Sequence, residues 1–336
     1  MIEKLKKNVL MIAALLLCTN ATVVTAKTIK IATISPEGTF WMKQMRIGAD
    51  LIKEKTRGRV KFKFYPGGVM GNDDNVFRKI KIGQLHGGAI TLPTLSQAVP
   101  DVTIYGLPFL FSSLDEAEQI RTVSDDLLAE AIYAGGYVNF GIAQGGFTYL
   151  MSKHRITGFD DLRKQKSWVP EKSDVGLSVY KAIEVTPVSL PLSDVLTGLQ
   201  TGLINTVVAS PIGALALQWH THINYVVDLP LNYLAAMLII DRKVFEKLSP
   251  SDQKIVRDVM TDVYRKIDQH NKADDLAARQ ALKNQGVKFI TLNAKEKPEW
   301  YRTGDIVIRE MIDKYNYDKN IYKAVMANKP DAPGLD

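Results

Sequence analysis

The sequence predicts an α/β protein built as two lobes that are joined by short ordered crossings and by one long helix. Three observations support this prediction. The chain has 336 residues, more than one hydrophobic core usually organises. Strand-like and helix-like runs alternate along it, and no low-complexity linker or internal repeat divides it. A helical pattern covers residues 249–286, which is far longer than an ordinary helix.

The N-terminal elements alternate between the strand and helix periods. TIKIATI (28–34) and VKFKFYP (60–66) alternate as half-buried strands. FWMKQMRIGADLIKEKT (40–56) has apolar residues at helical spacing and ends before Gly58. A glycine-rich turn then leads to DNVFRKIKIG (74–83), a second amphipathic helix.

The same alternation continues through the middle of the chain, in SWVP (167–170), DVGLSVYKAIE (174–184), PVSLP (187–191) and LSDVLTGLQTG (192–202). The long helix follows, with Ser249 as a suitable N-cap and Gly286 as its terminator. A helix of roughly 35 residues spans about 50 Å at 1.5 Å per residue, which is long enough to lie across both lobes.

The first 26 residues have the pattern of a cleaved signal peptide. Lys4, Lys6 and Lys7 precede the apolar run VLMIAALLLC (9–18), and small residues lead up to Ala26. The run is shorter than the roughly 20 apolar residues of a membrane helix. We therefore expect cleavage after Ala26, a periplasmic mature protein, and no direct insertion of the mature chain in the membrane.

Cysteine and charge exclude several classes of function. Cys18 is the only cysteine and lies in the predicted signal, so the mature chain has no thiol for disulfides or catalysis. A lipid anchor on Cys18 is an alternative, although Leu17 stands where a small residue would be expected. Without the signal, 43 basic and 36 acidic residues become 40 and 35, a formal charge of +5. No Lys/Arg cluster is interleaved with aromatic residues, so we expect no nucleic-acid partner.

The strongest catalytic candidate is the pair His220 and His222, whose spacing could present two imidazoles from one face of a strand to a metal. No nearby cysteine or carboxylate pair completes such a site. The adjacent aspartates at 73–74, 160–161 and 274–275 suit helix caps and solvation. GxSxG, Walker, GxGxxG and HExxH motifs are absent from the sequence. We expect no enzymatic activity and no cofactor, with an exported metal-dependent enzyme as the rival class.

Four segments, in this order, resemble one known family. They are GRVKFKFYPGGVMGNDDNVFRKIKIGQL (58–85), VPDVTIYGLPFLF (99–111), ITGFDDLRKQKSWVP (156–170) and PVSLPLSDVLTGLQTGLIN (187–205). Together they are similar to the DctP-like solute-binding subunits of tripartite ATP-independent periplasmic (TRAP) transporters. The similarity covers essentially all of the mature chain.

The resemblance implies a two-lobe periplasmic-binding-protein-like fold with hinge strands, closing on a small-molecule ligand. It implies a first lobe of residues 27–145 with 236–275, and a second of 146–235 with 276–336. Delivery of the ligand to a TRAP permease in the membrane is the implied partner interaction. Hinge closure of this kind works because the ligand contacts both lobes.

At three places the chain departs from the family pattern. The family's KxRVP stretch, whose arginine pairs with the ligand carboxylate, reads KSWVP here and carries Trp168. A second position that is often arginine falls in GGFTY and holds Thr148. The asparagine that often follows the third motif aligns near Ser210. Both cationic anchors are therefore replaced.

The replacement predicts a ligand with less negative charge. Burying a carboxylate without a charge partner costs several kcal/mol, on the order of 2–5. An indole instead offers an apolar face of roughly 200 Å² and one N–H donor. We therefore interpret Trp168 as a wall for a neutral, apolar or aromatic ligand. In the alternative, Trp168 only packs under the cleft while another cation, most obviously Lys172, restores carboxylate binding.

Further ligand-binding candidates follow from where the family places its ligand: Phe40, Trp41, Gln144, Tyr149, Trp219 and His220. Phe40 and Trp41 open a helix at the end of the first strand, where open α/β sheets bind ligands, although one of them could belong to the core. Tyr149 could equally be structural, and Trp219 could lie in the cleft or in the core. A receptor that has drifted into sensing or scaffolding is a further alternative.

Signal cleavage gives the first test. Mass spectrometry of the protein isolated from its native envelope should find a mature N-terminus at Lys27, because the small residues before it form the cleavage site. Retention of residues 1–26, or an acyl group on Cys18, would contradict this prediction.

Overall fold

The secondary structure follows the predicted alternation. A computed structural model describes residues 26–171, 173–292 and 295–327. Residues 1–25 of the predicted signal, with Cys18, and also Lys172 lie outside the described residues. The strands of the described part are β1 (Lys27–Ala32), β2 (Val60–Tyr65), β3 (Gly87–Thr91), β4 (Tyr137–Asn139), β5 (Ala143–Phe147), β6 (Tyr149–Ser152), β7 (Trp168–Pro170), β8 (Val188–Leu190), β9 (Thr206–Ala209), β10 (Tyr225–Val227), β11 (Tyr233–Asp241) and β12 (Lys288–Ile290).

The α-helices lie mostly between these strands. They are α1 (Phe40–Lys55), α2 (Asp73–Lys81), α3 (Leu92–Leu95), α4 (Leu114–Ala134), α5 (Phe159–Leu162), α6 (Asp174–Ala182), α7 (Val195–Thr201), α8 (Pro211–Ala216), α9 (Arg242–Glu246), α10 (Pro250–Asn284), α11 (Lys297–Tyr315) and α12 (Lys319–Met326). Short 3-10 helices cover Pro100–Gly106, Leu192–Asp194 and Trp219–His222.

Local caps explain why the predicted helices begin where they do. The Thr39 hydroxyl accepts a hydrogen bond from the Met42 amide at 3.3 Å, so α1 starts at Phe40 as predicted. The Asn72 side chain accepts from the Asn75 amide at 3.0 Å and begins α2. Such caps satisfy N–H groups that have no partner inside the helix.

The first lobe is built on a sheet with the strand order β2-β1-β3-β11-β4, in which β5 also pairs with β11. Strands β1, β2 and β3 run parallel, whereas β11 is antiparallel to its neighbours. One face of this sheet shares a hydrophobic cluster with α1 and α10. At Gly48 a β-carbon would lie 2.8 Å from Val263 Cγ2, so glycine allows α1 and α10 to pack closely.

The second lobe is built on the smaller sheet β12-β10-β6-β9. Strands β7 and β8 form a parallel pair beside it, and a parallel bridge between Ser167 and Thr206 joins that pair to β9. Each lobe is therefore built on one main sheet.

The long helix α10 connects the two lobes. It has 35 residues, and the Ser249 hydroxyl caps it by accepting from the Asp252 amide at 3.2 Å. Gly286, with φ of +87°, follows its C-terminal end. The helix packs against α1 in the first lobe, β5 at the crossing and α8 in the second lobe. The predicted helix across both lobes is confirmed.

The chain crosses between the lobes on two adjacent segments. On the first, Thr148 joins β5 directly to β6. On the second, residues 231–232 lead back into β11. The Thr148 amide donates to the Asn232 carbonyl at 2.9 Å, and the Leu231 amide donates to the Thr148 carbonyl at 2.9 Å. These hydrogen bonds keep the two crossing segments side by side.

The C-terminal helices lie on different lobes. Helix α11 packs against α6, whereas α12 packs against α4. Between them, the Tyr317 and Thr103 hydroxyls are 2.8 Å apart. Within the residues described, no helix has both the length and the apolar character needed to cross a bilayer.

A buried arginine joins the elements around the crossing. Arg121 of α4 is 8% exposed and donates to the Ile142 carbonyl at 2.6 Å and to the Tyr233 hydroxyl at 3.0 Å. Its guanidinium also lies 3.1 Å from Asp125 and 3.2 Å from Asp268 of α10. Burial alone would lower the pKa of Arg121, but Tyr233 and the two carboxylates raise it above its usual value.

Loss of this arginine should therefore destabilise the protein. Arg121→Met should lower the free energy of unfolding by about 3–5 kcal/mol, because it leaves two part-buried carboxylates without their cation. The control is Arg265→Met, whose pair with Asp262 is exposed and should contribute less than about 1 kcal/mol. Urea denaturation of both variants checks the prediction, and equal losses in the two would contradict it.

Candidate ligand-binding site

Several chain segments meet at one end of the strands of the second-lobe sheet. Strand β6 begins there, at Tyr149, which pairs with Ala209 at the end of β9. Strand β7 runs parallel to β9 from the Ser167 bridge, so Trp168 lies towards the same end of the sheet. Ser210 follows β9 directly. The topology thus brings together three predicted site residues that are far apart in the sequence: Tyr149, Trp168 and Ser210.

Trp168 is held firmly within the second lobe. It is 3% exposed, and its indole Nε1 donates to the Leu190 carbonyl at 2.9 Å. Its ring meets the Trp219 ring edge to face, with centroids 5.3 Å apart and an interplanar angle of 78°. The single N–H donor of Trp168 is therefore used inside the protein, and the side chain adds apolar surface but no charge at this place.

Trp219 packs beside Trp168 in the second lobe. It is 2% exposed and lies in the same hydrophobic cluster. The structure thus brings the two predicted tryptophans into direct contact. It also shows that Trp219 belongs to the packing of the second lobe.

Ser210 and His220 shape the short helix that follows β9. The Ser210 hydroxyl caps α8 by accepting from the Gly213 amide at 3.2 Å. His220 Nδ1 lies 3.1 Å from the Ala214 carbonyl. The prediction that His220 and His222 share a strand was wrong, because both lie on the 3-10 helix Trp219–His222. In the described ranges, no group of three or more His, Cys, Asp or Glu side chains is placed to hold a metal ion.

Tyr149 and Thr148 lie at the crossing between the lobes. Tyr149 is 4% exposed, and the Arg279 guanidinium of α10 lies 5.0 Å from its ring centroid. Burial raises the pKa of the Tyr149 hydroxyl, and the charge of Arg279 opposes that shift. Thr148 is buried, and its hydroxyl accepts from the Asn232 amide at 3.3 Å. Thr148 is thus part of the crossing itself.

Gln144 faces the long helix rather than the strand ends at which Tyr149, Trp168 and Ser210 lie. Its amide donates to Asp268 Oδ1 at 2.8 Å, and its carbonyl accepts from Asn271 Nδ2 at 2.6 Å. Its side-chain Oε1 is buried and has no hydrogen-bond partner among the described residues. Gln144 therefore belongs to the packing of α10 on β5.

Phe40 and Trp41 lie in a different hydrophobic cluster from Trp168. Both pack against the cluster between the first sheet, α1 and α10. The Phe40 ring stacks on His270 of α10 with centroids 3.6 Å apart, and Trp41 hydrogen-bonds to the buried Tyr264. The structure does not bring these two residues together with the tryptophan pair.

A polar pair that sequence reasoning missed lies at the carboxyl end of the central strand β3 in the first-lobe sheet. Asp73 Oδ2 accepts from both the amide and the hydroxyl of Thr91, at 3.1 and 2.8 Å. Burial raises the pKa of the Asp73 carboxyl. The aspartate had been interpreted as a helix cap, but Asn72 has that role. The position of Asp73 between a glycine-rich turn and a helix, at a strand end, is the signal that could have identified it.

The buried and half-buried arginines are already paired with carboxylates. In the described part they are Arg59, Arg121, Arg242 and Arg279. Each lies within 4.0 Å of a carboxylate oxygen. Arg279, which is nearest to Tyr149, donates to Asp228 at 2.8 Å. An anionic ligand would have to compete with these carboxylates for any of the four guanidinium groups. Lys172 lies outside the described residues.

A comparison with family models finds one match, to the family described as bacterial extracellular solute-binding protein, family 7, over residues 31–315. Among curated relatives, the protein YiiZ of Salmonella typhimurium is 24% identical over 212 residues, which is 61% of this chain and 63% of the relative. The C4-dicarboxylate-binding periplasmic protein DctP of Shewanella loihica is 20% identical, over 78% of this chain and 81% of its own length.

Solved structures share the fold. A TRAP periplasmic solute binding protein from Haemophilus influenzae, with bound L-gulonate, has a TM-score of 0.81 at 19% identity and covers 90% of this chain and all of its own. Another from Pseudomonas putida, with bound D-glucuronate, has a TM-score of 0.80 at 21% identity and covers 92% of this chain and 99% of its own.

Proposed function

The chain belongs to family 7 of the bacterial extracellular solute-binding proteins, and from that membership we propose that it captures a small organic ligand between its two lobes and delivers it to a TRAP-type permease. The family match confirms the resemblance that the four sequence segments indicated, and this is a family of solute receptors rather than of enzymes. The proposed location is the periplasm, which fits the signal pattern of residues 1–26.

The proposed cleft lies between the strand ends of the two sheets that are described above. Its second-lobe wall carries Tyr149, Trp168 and Ser210, with Trp219 packed behind Trp168, and its first-lobe wall carries Asp73 and Thr91. Open α/β sheets bind ligands at the carboxyl ends of their strands, which supports this placement. We propose residues 27–145 with 236–275 as the first lobe and 146–235 with 276–336 as the second, with α12 crossing back to pack against α4 of the first lobe.

The single observation that supports the proposed class of ligand is the indole of Trp168 in the stretch KSWVP. Trp168 occupies the place of the family's carboxylate-binding arginine, and its own N–H is used by Leu190. The part-buried arginines of the described residues are paired with carboxylates. A carboxylate ligand would therefore be desolvated without a matching cation, at a cost on the order of several kcal/mol. The ligand that fits this charge distribution is neutral and partly apolar or aromatic.

An organic acid is the second candidate, because bound acids occur in proteins of the same fold. The structural neighbours described above hold L-gulonate and D-glucuronate, and another from Shewanella oneidensis holds succinate. All three are less than 25% identical to this chain. An acid receptor would need a displaced cation, of which Lys172 is the obvious example.

Closure of the lobes tests the receptor function. Compounds from a metabolite library that raise the melting temperature should also reduce the radius of gyration, because a ligand that contacts both lobes favours the closed state. A ligand at 100 times its Kd should add about 2.7 kcal/mol to the free energy of unfolding. The measurement is thermal denaturation followed by small-angle X-ray scattering. Stabilising ligands that leave the scattering unchanged would contradict closure.

The charge at residue 168 tests the ligand class separately. Succinate and D-glucuronate should not stabilise the wild-type protein, whereas Trp168→Arg should bind such acids roughly 10- to 100-fold more tightly than wild type, as expected for a charge-assisted pair of about 1.5–3 kcal/mol. Calorimetric titration measures both proteins.

Two further variants separate the alternatives. Trp300→Phe is a matched aromatic control, because Trp300 stacks on Phe159 in another cluster. It should leave acid binding as in wild type. If wild type binds either acid at micromolar concentration and Lys172→Ala abolishes that binding, the acid-receptor alternative is correct and the neutral-ligand proposal is wrong.

A further inference from the structure

One carboxyl group is buried where the long helix packs on the crossing. Asp275 of α10 is 4% exposed, and its Oδ1 atom has no hydrogen-bond partner among the described residues. Buried polar atoms in proteins are almost always hydrogen-bonded. The bare oxygen therefore requires an explanation in terms of the state of this carboxyl group.

The contact that buries Asp275 is made by Gly146 of β5. A β-carbon at Gly146 would lie 2.4 Å from Asp275 Oδ1, so the carboxyl group packs directly on the glycine α-carbon. Gly146 has φ of +75°, a conformation that glycine adopts readily and other residues rarely. The crossing segment is thus shaped to receive this side chain. Gln144, two residues earlier in β5, has a second buried acceptor without a partner, at Oε1.

The charges that face Asp275 do not compensate it. Strand β5 (AQGGF) and helix α8 (PIGALA), both packed on α10, have no ionisable side chains. Tyr149 comes from β6, Asp228 follows β10, and Arg279 is one turn further along α10. Among the residues that the structure describes, Arg279 is the one cation that acts on Asp275, and it already donates to Asp228 at 2.8 Å while lying over the Tyr149 ring. An ionised Asp275 would be a buried charge without a dedicated partner.

We propose that Asp275 is a proton-dependent contact of the hinge: its neutral form packs on Gly146 and keeps α10 against the crossing, and its ionised form loosens that junction. Because α10 and the crossing connect the two lobes, the junction opens more readily as the pH rises. The inference concerns the conformation of this chain and does not depend on which ligand it binds.

The direction of the pH dependence follows from linkage. Burial raises the pKa of Asp275 in the folded protein, and the attraction of Arg279 only partly opposes this. The folded state then binds the proton more tightly than the unfolded state. Stability is therefore lost as the pH rises from the ordinary aspartate pKa, about 3.9, to the raised value, and it stays constant above that value.

The test compares wild type with Asp275→Asn, which is a neutral side chain of the same shape. The melting temperatures of the two proteins should agree near pH 4, and at pH 7 the variant should melt about 2–4 °C higher, because only the wild type has to bury a charge. Asp258→Asn is the control. It removes an exposed carboxylate on the same helix, paired with Lys254, and should give no pH-dependent difference of this kind. Parallel pH profiles for wild type and Asp275→Asn would overturn the proposal.

Two readouts localise the effect. At pH 7, amides of residues 143–148 should exchange hydrogen faster in wild type than in Asp275→Asn, and at pH 5 this difference should shrink. Comparison at one pH cancels the intrinsic exchange rate. Carboxyl ¹³C NMR of the wild type follows Asp275 directly, so the proposal remains testable even if the variant does not fold. Titration of that carbon at or below the ordinary aspartate pKa would also overturn it.

Discussion

The fold depends on hydrogen bonds and ion pairs to the polar groups that become buried where the chain crosses between its two main sheets. Two backbone segments and a long helix meet there, and a lone polar group buried among them would cost on the order of 1–3 kcal/mol. Arg121 satisfies much of this requirement, because one guanidinium contacts Ile142, Tyr233 and two carboxylates. The reciprocal bonds between Thr148 and residues 231–232 satisfy the backbone. The two lobes are therefore joined by an ordered polar junction rather than by a flexible linker.

The same junction explains why residues that look like ligand-binding groups in the sequence have structural contacts. Gln144 and Thr148 are polar, and both bond to elements of the crossing. Tyr149 has Arg279 over its ring, and Arg279 in turn pairs with Asp228. Each side chain is thereby held in place, and residues held in this way can present a defined surface to a ligand. Asp275 and Gln144 each keep one side-chain oxygen that has no hydrogen-bond partner in the described chain.

Trp168 is fixed in place by contacts within the second lobe. Strands β7 and β8 form a parallel pair, and the indole N–H bonds to Leu190 on β8. The contact with Trp219 fills the space behind it. A guanidinium at this strand end would present a bidentate cation, whereas the indole presents none. The fold is shared with solute-binding proteins that hold L-gulonate and D-glucuronate.

By itself the sequence determined the α/β alternation, the start of the first helix at Phe40, the cap at Ser249, the length of the helix across both lobes, and the family resemblance. These features depend on local periodicity and on residues close together in the chain, which a sequence displays directly. Only the tertiary structure decided that Trp168 contacts Trp219, that Phe40 packs on His270, and that His220 and His222 lie on a 3-10 helix. It also revealed the contacts of Asp73 with Thr91 and of Asp275 with Gly146. The contacts join residues separated by 18 to 230 positions in the sequence, and the 3-10 helix depends on the exact path of a short turn. The packing of the lobes decides both the contacts and the turn.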